Sequence, residues 1–242
     1  MKYARLFILV LITLGYLGCE DTKKTPPEKT NSQLQKKQNT KTETTATHKE
    51  IDTESKKYPV LTSKNVVSFL TEYGSQNPET KVRISTQHGD IDIELYEDTL
   101  LHRANFIYLV KQEYFDGTFF HRAVPNFIIQ GGNSDNRNIQ KKRKTIGHDY
   151  LLPAELTSGR RHVYGTVSGA KQYRENPDKR TVPYEFFIFL GEPKDTGHLN
   201  GNYTIFAKIS KGMDVVEKIA NLPTDDGEWP LENVYIKATI LE

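Results

Sequence analysis

Phe120-His121-Arg122-Ala123-Val124-Pro125-Asn126-Phe127-Ile128-Ile129-Gln130-Gly131-Gly132 is the stretch on which the reading of this chain turns. Two apolar runs flank a Pro-Asn pair, the pattern of strand, tight turn and strand. His121 and Arg122 interrupt the first run, and Gln130 closes the second before a Gly pair. A guanidinium in an apolar hairpin is costly unless it has a partner or a task. An isolated Arg reads equally well as a solvated surface residue, but the pattern around it carries more information than the Arg alone.

Working outward, residues 81–85 alternate as a strand, His88-Gly89-Asp90 makes a turn, and residues 91–95 alternate again. Asp98 or Thr99 caps a helix that runs to about Lys111, with Leu101, Ala104, Phe106, Leu109 and Val110 near one face. Residues 133–150 read as loop, and Lys141-Lys142-Arg143-Lys144 within them as a solvated charge run rather than a nucleic-acid patch. Further strands are expected near 162–168, 184–190 and 203–210, with a polar surface loop over 172–183. A second helix covers 212–219 and a last alternating strand 234–241. The sum is about eight strands and two helices, and closing such a sheet removes its exposed edges. Strand spacing alone fits other β barrels and sandwiches as well.

At 242 residues, 36% hydrophobic and 26% charged, the chain has room for one domain plus segments outside any core. Its formal net charge of +2 gives no case for nucleic acid or an acidic substrate. With one cysteine, Cys19, no disulfide forms within the chain and no Cys-rich metal site exists. The seven His residues show no H-x-x-x-H spacing, and there is no Gly-rich phosphate loop. Gly165-Thr166-Val167-Ser168-Gly169 misses the nucleophile elbow because its serine sits one place late. No metal, cofactor or nucleic-acid partner is expected.

Lys2 and Arg5 precede an apolar run over 6–17, which is short of the roughly 20 residues of a membrane span. The charged start and apolar centre are those of a secretory signal. Gly18-Cys19 resembles the end of a bacterial lipobox, with Tyr16 where Leu is usual. That resemblance implies cleavage before Cys19 and acylation of its thiol and amine, a firm anchor when several chains are attached. An ordinary signal with an incidental Cys is the alternative. Residues 1–18 are thus read as a lipoprotein signal peptide of a cell-envelope protein. Residues 19–57 are read as a disordered tether, nearly free of large apolar side chains, with nine Lys against seven acidic residues over 20–57. A coil of that length spans on the order of 35 Å. Residues 58–80 form an N-terminal helical extension, capped by Ser63, carrying Val66, Val67, Phe69 and Leu70, and ending near Gly74.

Phe-His-Arg, four residues, Phe, two residues and Gln-Gly-Gly closely resembles the signature of the cyclophilin family of peptidyl-prolyl cis-trans isomerases, and the likeness extends from about Lys81 to the C-terminus. The resemblance implies a mainly β fold, a closed eight-stranded antiparallel barrel capped by two helices over 81–242. It implies a monomer acting on proline-containing polypeptides without a covalent intermediate. It also assigns roles. Arg122 stands at the catalytic arginine position, Phe127 at the floor of the proline pocket, and Gln130 at the residue that orients the arginine. His121, Ile128, Ala170, Lys171, Glu185, Phe187, Leu199 and Tyr203 stand at substrate-binding positions. The chain departs from the family pattern at Leu101, where Pro is frequent, at Lys171, where many members have Asn, and at His198, where Trp or Phe is common. Tyr203 replaces a pocket histidine, a mild change for an aromatic ring with a polar tip. Glu185 stands where Gln is common. Its carboxylate could divert Arg122 or attract basic peptides. Two readings follow: a membrane-tethered folding enzyme, or a proline-peptide-binding chaperone module with weak or no turnover.

Overall fold

The computed structural model describes residues 58–156, 159–172 and 176–242. The leader, Cys19 and the polar segment up to residue 57 lie outside these residues. In chain order the elements are α1 (Val66–Gln76), β1 (Lys81–Thr86), β2 (Gly89–Leu95), α2 (Leu100–Lys111), β3 (Phe119–Val124) and β4 (Ile128–Asn133). Then come α3 (Arg137–Ile146), β5 (Thr166–Gly169), β6 (Phe186–Phe189), a 3-10 turn (Pro193–Thr196), β7 (Ile205–Lys211), α4 (Met213–Ala220), β8 (Val234–Tyr235) and β9 (Lys237–Ile240).

The strands form one antiparallel sheet in the order β8-β3-β4-β6-β5-β7-β2-β1-β9. Nine strands stand among the described residues where eight were expected, because the last strand is broken. β8 pairs with β3 and β9 with β1, and only Ile236 separates them. Ile236 donates its N–H to Thr118 O, and its own carbonyl accepts from Gly117 N. The C-terminal segment therefore bends across both ends of the sheet and nearly closes the barrel, so few backbone edges stay open.

The barrel is filled by alternate residues of its strands: Val82 and Ile84, Ile91 and Ile93, Phe120, Ile129, Phe186 and Ile188 are all buried in one cluster with α2 and α4. α2 is buried all round from His102 to Val110, not along one face as expected. α1 covers its outer side, with Tyr58, Phe69, Tyr73 and Tyr108 in edge-on and stacked contacts 5.1–5.7 Å apart. Its cap is Asn65 rather than Ser63, and it runs to Gln76; the Asn65 carboxamide oxygen accepts from Thr62 N at 2.7 Å. Orphan donors at the start of α2 are met by the Glu155 carboxylate, which accepts from Leu101 N at 3.0 Å and His102 N at 2.9 Å.

α3 corrects the reading of 133–150 as loop. Asn136 caps it, accepting from Asn138 N at 2.9 Å, and Gly147 ends it at φ 147°. The basic run is helical, and Arg143 is pinned inward. Its guanidinium donates to Tyr114 Oη at 2.8 Å and Asn133 Oδ1 at 3.1 Å and lies 5.0 Å from the Tyr184 ring centroid.

Candidate active site

The site is built on the outer face of β3, β4 and β6. Along β4 and β6, Ile129, Phe186 and Ile188 enter the barrel, so Ile128, Gln130, Phe187 and Phe189 face away from it. β3 needs a device to join them. Phe120 is in the core, and strict alternation would send Arg122 after it. The pairing of β3 with β4 shifts between Phe120 and Arg122, with His121 as the extra residue of a bulge. The bulge resets the alternation: Ala123 returns to the core, and Arg122 pairs directly across from Gln130 on the outer face.

On that face Ile128, Phe187, Phe189 and Leu199 form a second buried apolar cluster, against which Val124, Phe127 and Tyr203 pack. The tight turn at Pro125-Asn126, with Asn126 at φ 57°, brings Phe127 over it. Phe127 meets Phe189 edge-on at 6.2 Å and His198 at 5.8 Å. Arg122, Phe127, Ile128, Gln130, Ala170, Lys171, Phe187, His198, Leu199 and Tyr203 line one pocket of about 410 Å³. Tyr203 stands edge-on to Phe187 at 5.5 Å, and the Lys171 ammonium lies 4.3 Å from the Tyr203 ring centroid.

His121 and Glu185, also named from sequence, do not line this pocket. Glu185 borders a neighbouring one of about 400 Å³, with Arg143, His148, Asp149 and Lys171. Its carboxylate does not reach for Arg122. It accepts from Gln130 Nε2 at 2.9 Å and lies 3.7 Å from His121 Nε2. The expected link from Gln130 to the arginine is thus replaced by one to Glu185. Burial holds His121 below the usual histidine range; Glu185 opposes that shift, and Arg143 and Arg122 add to it.

Two supports were not visible from sequence. Beneath the pocket the His162 ring lies parallel to Phe187, 5.9 Å away, held between Ser168 Oγ and Asn200 Oδ1 at 3.0 Å each. Burial also lowers the pKa of His162, against the Asn200 hydrogen bond and together with His198. The second is Glu228, whose carboxylate accepts from Arg122 Nε at 2.5 Å. Among the described residues no group of three or more His, Cys, Asp or Glu is placed to hold a metal ion, and no helix is long and apolar enough to cross a membrane.

The family model for cyclophilin type peptidyl-prolyl cis-trans isomerases matches residues 81–240. A peptidyl-prolyl cis-trans isomerase of Acinetobacter baylyi is 36% identical over 148 residues, covering 60% of this chain and 74% of its own length. Peptidyl-prolyl cis-trans isomerase A of Dickeya dadantii is 27% identical, covering 76% of this chain and 92% of its own. A crystal structure of a Cryptosporidium parvum cyclophilin type isomerase, in the presence of the dipeptide Ala-Pro, superposes with a TM-score of 0.54 at 28% identity, covering 67% of this chain and 99% of that one. The chain belongs to the cyclophilin-type peptidyl-prolyl cis-trans isomerase family. The reaction of that family is rotation about the peptide bond before proline.

Proposed function

We propose that this chain is a monomeric folding isomerase of the bacterial cell envelope, anchored through Cys19 and acting on X-Pro bonds of exported polypeptides. The X-Pro amide prefers trans only slightly, yet partial double-bond character of C–N raises a barrier of roughly 18–20 kcal/mol between its isomers. Lowering that barrier takes no nucleophile, metal or proton shuttle, only preference for the twisted state over both planar ones. As the bond twists, the proline nitrogen becomes pyramidal and its lone pair localises. A fixed donor aimed at it strengthens only then. Arg122 takes this role, since its guanidinium stays protonated and presents a rigid fork. Phe127, Ile128, Phe187 and Leu199 receive the proline ring, and Gln130, Ala170 and Lys171 meet the backbone around it.

The observation that carries the reading is the bulge at His121, which puts Arg122 on the pocket that also holds Phe127 and Gln130. A binding module without turnover is the second reading. It is favoured by the engagement of Gln130 with Glu185, since a residue expected to serve Arg122 is occupied elsewhere. NMR exchange spectroscopy on an Ala-Pro peptide separates the two. The isomerase speeds cis/trans exchange at substoichiometric protein, and the module binds without speeding it.

A further inference from the structure

Arg122 is held by a carboxylate that lies outside the pocket. The loop between α4 and β8 runs back along β3, and its conformation is fixed at several points. Asp225 Oδ1 accepts from Gly227 N at 2.8 Å and Trp229 N at 2.9 Å, and Thr224 bridges to Pro230. Glu228 O accepts from Ala123 N at 2.8 Å, which ties the loop to β3 one residue past Arg122. Trp229 packs on Phe119 and His121 at 5.2 and 5.8 Å.

Within this frame Glu228 has φ 65°, the left-handed region that disfavours a side chain and suits glycine. A glycine stands one position earlier, at Gly227, yet the strained position carries a glutamate. Such a conformation persists where surrounding contacts over-determine it, and it recurs at functional sites; Glu113 and Lys179 share it, so the contact made by the side chain decides its meaning. Here the side chain takes the inner N–H of Arg122. Among the described residues the terminal nitrogens of that guanidinium form no hydrogen bond, and Glu228 does not line the pocket. An acceptor on Nε alone stops rotation of the long side chain and leaves both terminal amino groups for the substrate.

We propose that Glu228 is the positioning residue of Arg122, in the place that sequence reasoning gave to Gln130; the proposal rests on the isomerase reading. The test uses Glu228→Gly, Glu228→Gln, Arg122→Ala and the double variant Glu228→Gly/Arg122→Ala of the full chain, with exchange kinetics on an Ala-Pro peptide. Glu228→Gly suits the backbone, so its Tm stays level or rises. Its turnover falls about fivefold with KM changed less than about twofold, since a donor loosened from its place loses transition-state rather than ground-state contact. Glu228→Gln keeps an acceptor and falls about threefold. In the Arg122→Ala background Glu228→Gly has no further effect, because the two act as one unit. The Arg122 Nε–Hε resonance shifts and broadens in Glu228→Gly alone. Wild-type turnover in Glu228→Gly, or an equal fall with and without Arg122, overturns the positioning role while the isomerase reading stands. Full turnover in Arg122→Ala overturns both.

Discussion

Replacing Glu185 by Gln removes one charge from the wall between the two pockets and leaves the side chain's shape. The carboxylate is mostly buried, with 18% of its side chain exposed, and borders a pocket that shares Lys171 with the pocket of Arg122. A cation on a bound peptide about 5 Å away would gain roughly 0.8 kcal/mol at the dielectric of water and about 3 kcal/mol at an effective value near 20. Arg143 and Lys171 line the same pocket and oppose that attraction, and salt screens what remains. The lower end therefore applies, a preference of about three- to tenfold for peptides with Lys or Arg near the proline over neutral ones, which Glu185→Gln abolishes. Turnover of neutral peptides should change by less than about twofold, because Glu185 binds Gln130 and not Arg122. Exchange kinetics of both proteins on paired neutral and basic peptides, at low and high salt, measure this. Equal specificity ratios for wild type and variant would show that the Glu185 charge does not reach the bound peptide.

Stability should decline in two stages on acidification. Burial holds His121 and His162 below the histidine value of the unfolded chain, about 6.5, so the neutral form belongs to the fold and stability is full above that pH. Below it the unfolded chain takes up protons first. The second loss follows below about pH 4.5, as the carboxylates of Asp92, lowered by its hydrogen bond to Arg83, and of Glu155 are protonated; at Glu155 burial raises the pKa, but the His102 ring and the Leu101 and His102 backbone N–H groups together lower it. Urea titrations between pH 3 and 8 check both. Gly132→Ala should destabilise by roughly 2–4 kcal/mol, since Gly132 has φ 97° and an added Cβ would lie 2.2 Å from Tyr184 O; an unchanged urea midpoint would contradict the geometry. Cys19→Ser should release the protein from membranes with loss of lipid label, and limited proteolysis should cut first within 20–57. Unchanged fractionation would rule out the anchor, and strong amide-exchange protection over 20–57 would count against the tether.

Much of the pocket's lining can be named from the sequence because the hairpin carries its family resemblance at fixed spacing. The resemblance names Ile128, Gln130 and Phe187, and their shared face follows from period-two alternation along β4 and β6. Arg122 does not: alternation after Phe120 points it into the core, and only the bulge at His121, which leaves no mark in a single sequence, turns it outward. α3 carries only Ile139 and Ile146 as buried residues, too few for a periodic signal among basic residues. Its ends, Asn136 and Gly147, were the available clue. The broken last strand was invisible because Ile236 continues the alternation through the break. Glu228 was out of reach for a different reason: it meets Arg122 across 106 residues of chain, and no local pattern reports such a pairing.

In the proposed isomerase the Arg122 guanidinium speeds rotation about X-Pro bonds. The pair it forms with Glu228 is exposed on both sides, at 37% and 44%, so deleting it should cost the fold less than about 1 kcal/mol. Exchange spectroscopy of wild type, Arg122→Ala and Arg122→Lys on one proline peptide, with Tm recorded for each, is the direct measurement. Rapid exchange is expected with wild type, and a loss of about a hundredfold or more in Arg122→Ala at nearly unchanged Tm, with little recovery in Arg122→Lys, which lacks the planar fork. Wild-type turnover in a folded Arg122→Ala protein would contradict it.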